Sequence, residues 1–219
     1  MMAGCSISSL SWQGRLLALV CLAVLAGCVG VPATDAVVNA STPLEITEQE
    51  IHAADGRRLL HIDEVPGGIR VDAEHEFGAS GRFTDAALSP DGGWLAVTTD
   101  GAAHGGGWLL VLASRELIPA AFQYGGIVTL GPWRDDGRYV VFVQEGPVPN
   151  RILVVVDREG HGDTVSDNSR WVRLPVHDEG VPPETEYHAL EWHAETLLFE
   201  VDGARYRYDP GSAEITTAD

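Results

Sequence analysis

The sequence predicts an all-β fold over residues 44–219: a propeller-like array of three to four antiparallel blades, small or incomplete as a ring, with a β-sandwich as the alternative. Three observations carry this expectation. Short apolar runs from residue 44 onward are separated by Gly, Asp and Pro, without a sustained 3.6-residue apolar period. The runs Tyr139–Val143 and Ile152–Val156 are apolar at consecutive positions, so their strands must be buried on both faces, with sheets stacked on sheets. A strand–turn–strand unit also recurs at the spacing of propeller blades, about 35–50 residues.

The units can be taken in order. Ala53-Ala54-Asp55-Gly56 precedes a strand at Leu59–Ile62 and is a faint first copy, 36 residues before the clearest one. That clearest copy is Ala87-Leu88-Ser89-Pro90-Asp91-Gly92-Gly93 followed by a strand at Trp94–Thr98. Gly131-Pro132-Trp133-Arg134-Asp135-Asp136-Gly137 repeats the plan before the strand Tyr139–Val143, its Asp-Gly displaced by 45 residues. In Ala189–Phe199 the Asp-Gly is lost, but the apolar strand Leu197–Val201 follows as expected. Asp-Gly suits such turns because glycine adopts positive φ without steric cost. Second strands are expected at Trp108–Leu112, Ile152–Val156 and Arg205–Tyr208. His104-Gly105-Gly106-Gly107 falls between two expected strands and reads as a flexible hairpin tip.

Leu88-Ser89-Pro90-Asp91-Gly92 with Trp94-Leu95-Ala96-Val97 resembles the Ser-Pro-Asp-Gly blade motif of TolB-type propellers, a WD40-like repeat also found in the propellers of prolyl-oligopeptidase-like peptidases. The resemblance implies that the motif forms the tight turn between two blade strands. It covers residues 83–157 closely and 45–217 more thinly. No Gly-x-Ser-x-Gly elbow is present, so it extends to a propeller and not to a hydrolase domain.

The N-terminus supplies an address. Arg15 is the only charge before Asp35, and Leu16–Ala26 is almost wholly apolar but shorter than the ~20 residues that span a bilayer, which fits a cleaved signal. Leu25-Ala26-Gly27-Cys28 resembles the lipobox of bacterial lipoproteins. That resemblance implies a signal peptide over residues 1–27, cleavage before Cys28, a diacylglycerol thioether on its sulfur and a palmitate-type chain on its amine. Two or three acyl chains anchor stably where one does not. Residues 28–43, rich in Ala, Val, Thr and Pro, then read as a lipidated flexible tether. Val29, rather than Asp, after the cysteine points to the outer membrane, facing the periplasm, in a Gram-negative cell.

Cleavage removes Cys5 and Cys21, leaving no pair for an internal disulfide. It leaves thirteen arginines against 32 acids, a net charge of −19, and no lysine anywhere. Such a surface repels nucleic acid, so the expected partners are the membrane, through the lipid, and another envelope protein. Asp157, Glu159 and Asp163 place oxygen ligands at a calcium-like spacing, without an EF-hand's terminal Glu. His177-Asp178-Glu179 and Glu184-x-Glu186-x-His188 could ligate a metal or form an acid–base pair, but read as a solvated acidic loop. Trp94, Trp133 and Trp192 read as core filling, and Trp171 is the least constrained of the remaining tryptophans. No cofactor beyond the lipid and no catalytic set is expected. The sequence therefore points to a non-catalytic binding or scaffolding lipoprotein, with a sugar- or divalent-ion-binding lipoprotein as the alternative.

Overall fold

The computed structural model describes residues 43–147 and 150–218. The expected signal segment, Cys28 and all but the last residue of the expected tether lie outside this range. The described chain is a succession of antiparallel meanders. Blade I is three-stranded: β1 (Glu45–Ile46), β2 (Glu50–His52) and β3 (Arg58–His61). A separate hairpin, β4 (Gly68–Arg70) and β5 (Glu76–Gly78), follows it. Blade II comprises β6 (Ser80–Leu88), β7 (Trp94–Gly101), β8 (His104–Val111) and β9 (Leu117–Tyr124). Blade III comprises β10 (Ile127–Trp133), β11 (Tyr139–Glu145), β12 (Arg151–Asp157) and β13 (Ser169–Val172), with a one-turn helix, α1 (Val165–Asn168), before its last strand. Blade IV comprises β14 (Tyr187–His193), β15 (Thr196–Val201), β16 (Ala204–Asp209) and β17 (Glu214–Thr217). Strands lie in chain order in every blade, and the fold is the propeller-like array of antiparallel blades rather than a two-sheet sandwich.

The turn chemistry explains the meander. In blade II the Ser89 N–H bonds the Trp94 carbonyl and the Gly92 N–H bonds the Ser89 carbonyl, with Gly92 at φ +67°. Arg134, Tyr139 and Gly137, at φ +71°, repeat these two bonds in blade III. The faint copy in blade I does the same one residue tighter: Ala53 bonds Arg57, and Gly56 bonds back to Ala53. In blade IV, Ala194 takes positive φ (+49°) in place of the lost glycine.

Apolar strands are buried on both faces because each middle blade has two neighbours. In β7, Leu95 and Val97 pack toward blade I, while Ala96 joins Leu109, Val128, Val140 and Phe142 between blades II and III. In β11, Val140 and Phe142 face blade II, whereas Tyr139, Val141 and Val143 pack with Leu197, Phe199 and Tyr208 of blade IV. The outward faces of the end blades are polar. Glu50, His52 and Arg58 form an ion-paired cluster opposite Ile51. On blade IV, Glu191, Arg207 and Thr216 flank Leu198 across the sheet. A repeat array needs such polar caps where it stops stacking.

The expectation for His104–Gly107 is overturned. These residues lie inside β8 and are buried, because β10 crosses blade II diagonally and touches β6, β7, β8 and β9. A Cβ on Gly105 would sit 2.5 Å from the Val128 nitrogen, and one on Gly107 would sit 2.8 Å from the Phe142 ring. The glycines therefore permit close approach of two blades rather than flexibility at a tip.

Candidate functional site

A chain of arginine–carboxylate pairs links the turns of blades II, III and IV. Ser89 donates its hydroxyl to Asp91 Oδ1 at 2.6 Å, and the Gly93 N–H reaches the same oxygen at 3.1 Å. Arg158, from the loop after β12, donates to Asp91 Oδ2 at 2.6 Å and lies 5.8 Å from the centroid of the Trp94 ring. Blade III is thus tied to the blade II turn. Arg134 occupies the Ser89 position of the blade III turn, with its side chain only 8% exposed. It donates to Asp136 through Nε at 2.8 Å and to Glu195 of the blade IV turn at 2.6 Å, and it sits 4.5 Å over the Tyr139 ring. Burial tends to raise the Asp91 pKa, but the Ser89, Gly93 and Arg158 donors outweigh it and hold the carboxyl below the usual range. Hydrogen bonds from Arg134 lower that of Asp136.

Two tryptophan hydrogen bonds also link successive blades. The Trp133 indole N–H donates to the Ala87 carbonyl at 3.2 Å, and the Trp192 indole N–H donates to the Pro132 carbonyl at 3.1 Å. Ala87 and Pro132 occupy the same position of the repeat, so each inner strand reaches back to its predecessor in the same way. Trp94, Trp133 and Trp192 are only partly buried and sit along these seams, whereas Trp108 is 2% exposed and donates to Thr99 Oγ1 at 3.1 Å.

The acids singled out from the sequence separate. Asp157 accepts from Arg138 Nη2 at 2.8 Å, and Glu159 lies 3.3 Å from Nη1 of the same guanidinium. Burial tends to raise the Asp157 pKa, and the Arg138 bonds overcome this to lower it. Asp163 is exposed and lines a different feature, a cleft of about 370 Å³ bordered by Arg70, Trp108 and Glu116. Among the described residues no three His, Cys, Asp or Glu side chains gather where they could hold a metal. His177 Nδ1 lies 2.7 Å from the Tyr187 hydroxyl, which also accepts from the Leu174 N–H at 3.0 Å. His188 Nδ1 faces Arg151 Nη1 at 3.0 Å, and its Nε2 faces Glu186 at 3.1 Å. Each of these groups braces a neighbouring segment.

No protein-family model matches the chain. No curated protein matches it either. Similar solved structures include TolB from Acinetobacter baumannii, at 15% identity and a TM-score of 0.43, covering 82% of this chain and 42% of that one. A protein described as TolB from Agrobacterium tumefaciens gives 12% identity and a TM-score of 0.44, covering 80% of this chain and 57% of that one. A prolyl endopeptidase structure gives 14% identity and a TM-score of 0.48, covering 83% of this chain and 29% of that one. The chain therefore spans between 29% and 57% of the length of these proteins.

His104, which the sequence placed at a loop tip, is 5% exposed among the rings of Phe77 and Phe122, and its Nε2 has no hydrogen-bond partner among the described residues. Burial lowers its pKa, with Asp100 opposing. The folded state therefore holds the proton less tightly than the unfolded chain. The resulting stability is complete above about pH 6.5 and is lost as pH falls through the lowered value. Urea midpoints measured between about pH 7.5 and 5 should fall more steeply for the native chain than for His104→Phe. Parallel profiles would show that His104 titrates as it does in the unfolded chain. His52, raised by its bond to Glu50, contributes with the opposite sign and cancels in this difference.

Proposed function

We propose that the chain is a lipid-anchored, non-catalytic binding module of the cell envelope, held to the outer membrane on its periplasmic side through acylated Cys28. The observation that carries the reading is the use made of the reactive side chains. Asp91, Asp157, His177 and His188 are each engaged by an arginine or tyrosine of another segment, and Asp136 by Arg134 of its own turn, which also reaches Glu195 of the next blade. A stack of blades locked in this way, with polar faces at both ends, is a rigid platform whose loops can differ without disturbing the core. The lipobox resemblance supplies the anchor, and the acidic surface disfavours nucleic acid.

The test is the mature N-terminus together with its partition. The native chain should sediment with membranes after a high-salt wash and carry a diacylglyceryl Cys28 by mass spectrometry. Cys28→Ser should be recovered unacylated, and its membrane-bound fraction should disappear. A native N-terminus other than acylated Cys28 would sink the anchor. Photocrosslinkers placed along the turn edge in living cells should trap one specific envelope protein, and uniform labelling of abundant neighbours would remove the binding-module reading.

A further inference from the structure

A second cleft, of about 280 Å³, lies where blades II and III meet under α1. Its wall includes Phe122 of β9, Gln144 of β11, Ser169 and Trp171 of β13, and Val165 and Ser166 of α1. The strand alternation that sends Val140 and Phe142 into the seam with blade II sends Gln144 the same way. Gln144 is 3% exposed and lines the cleft, and its polar atoms are not among the fully enclosed, unpartnered ones of the described residues, which are His104 Nε2 and Arg173 Nε; they keep a path to the cleft. An amide at a cleft wall with no protein partner is free to donate to and accept from whatever occupies the cleft. Trp171, by contrast, is 49% exposed, although a large aromatic ring is expensive to leave in water. Arg173 lies 4.7 Å over its ring and donates to the Asp178 carbonyl at 3.1 Å, so the indole is held in place at the cleft wall.

We propose that this cleft binds a neutral pyranose ring. No ionised side chain lines it, in a protein whose formal charge is −18. Arg173, stacked on the Trp171 ring and tied to the Asp178 carbonyl, is not among the lining residues, and a metal ion would find no carboxylate in the wall. The wall instead offers one amide that both donates and accepts, the serine hydroxyls of Ser166 and Ser169, and the apolar surfaces of Phe122, Val165 and Trp171. Hydroxyls on one edge and an apolar C–H face on the other are the complement of that set, and a sugar ring carries both. The volume lies at the lower bound of small-molecule sites, about 300–1,000 Å³, and accommodates a single ring rather than a long chain. The larger cleft at Arg70 lacks this feature: its charged side chains, Arg70, Glu116 and Asp163, are all exposed to solvent.

This inference is independent of the anchor, because it concerns the blade seam alone. The full chain in detergent solution, labelled with ¹⁵N, is titrated with D-glucose, D-galactose and N-acetyl-D-glucosamine. At least one sugar should shift the Gln144 side-chain amide and the Trp171 indole resonances, with millimolar affinity. Gln144→Leu and Trp171→Ala should each weaken binding about tenfold, the size of one lost buried contact. Gln144→Leu should melt no lower than the native chain, since it keeps the volume of the side chain and adds apolar surface to a position only 3% exposed, which separates lost binding from lost folding. The proposal is overturned if no sugar moves either resonance, or if both variants bind as well as the native chain. It is equally overturned if an uncharged phenylalanine dipeptide shifts these resonances and no sugar does.

Discussion

Replacing Gly105 by alanine should destabilise the protein by about 3 kcal/mol or more, the upper end of overpacking costs, although only one methyl group is added. The new Cβ would lie 2.5 Å from the Val128 nitrogen and 2.8 Å from the Ile127 Cα and carbonyl carbon. All three are backbone atoms of β10, so no side-chain rotation can relieve the contact. The strand itself would have to retreat, and β10 is the element by which blade III crosses blade II. Since whole domains are stable by only about 5–15 kcal/mol, the variant should sit near the threshold of folding. Gly160→Ala is the control. Gly160 has no atom within 4 Å of an added Cβ, and its backbone is not in the positive-φ region. It should be neutral, or stabilising by up to about 1 kcal/mol through the unfolded state. Chemical denaturation of the two variants checks both statements. Equal midpoints would show that the seam yields and that β8 tolerates a side chain where β10 crosses it.

The same strand shows what could be read from the sequence. Strands that are apolar throughout, such as Tyr139–Val143 and Ile152–Val156, were legible because burial on both faces leaves an uninterrupted run. The Asp-Gly turns were legible because positive φ restricts their chemistry, and even the faint copy at Ala53–Gly56 closes a turn with Gly56 at positive φ. Strands at blade edges were not. β6 carries Arg82 and Asp85 on an exposed side, β9 accommodates Pro119 at the blade edge, and β10 contains Gly131-Pro132 at a register shift. His104–Gly107 misled for a related reason, since glycines read as loop when the backbone they admit belongs to another blade. Gln144 is not legible because it ends an apolar run, and a single polar residue there looks like the return to solvent. Only the packing of a neighbouring blade reveals that it is buried.

Trp192→Ala should cost about 3 kcal/mol, the low end for deleting a large aromatic, because the ring is only partly buried. Trp192→Phe should cost about 1 kcal/mol, since it keeps most of the ring and loses the bond to the Pro132 carbonyl. The distribution of the loss matters more than its size. The indole stacks on Tyr139 with centroids 6.1 Å apart and lies 5.9 Å from the Arg134 guanidinium, so one substitution loosens the ring contact and the charged link to Glu195 together. Glu195 is 78% exposed, and its own bond to Arg134 can offset little. The buried cluster that holds blade IV lies against blade III, and its other face carries Glu191 and Arg207. In a linear array, stability is a sum of unit and neighbour terms, and the terminal unit has only one neighbour. Trp192→Ala should therefore open blade IV before the rest unfolds, and amide exchange should accelerate in β14–β17 while β7 and β8 retain their protection. An equal loss of protection in all blades would show instead that the array unfolds as one cooperative body, with the seam between blades III and IV no weaker than the one that Gly105 admits.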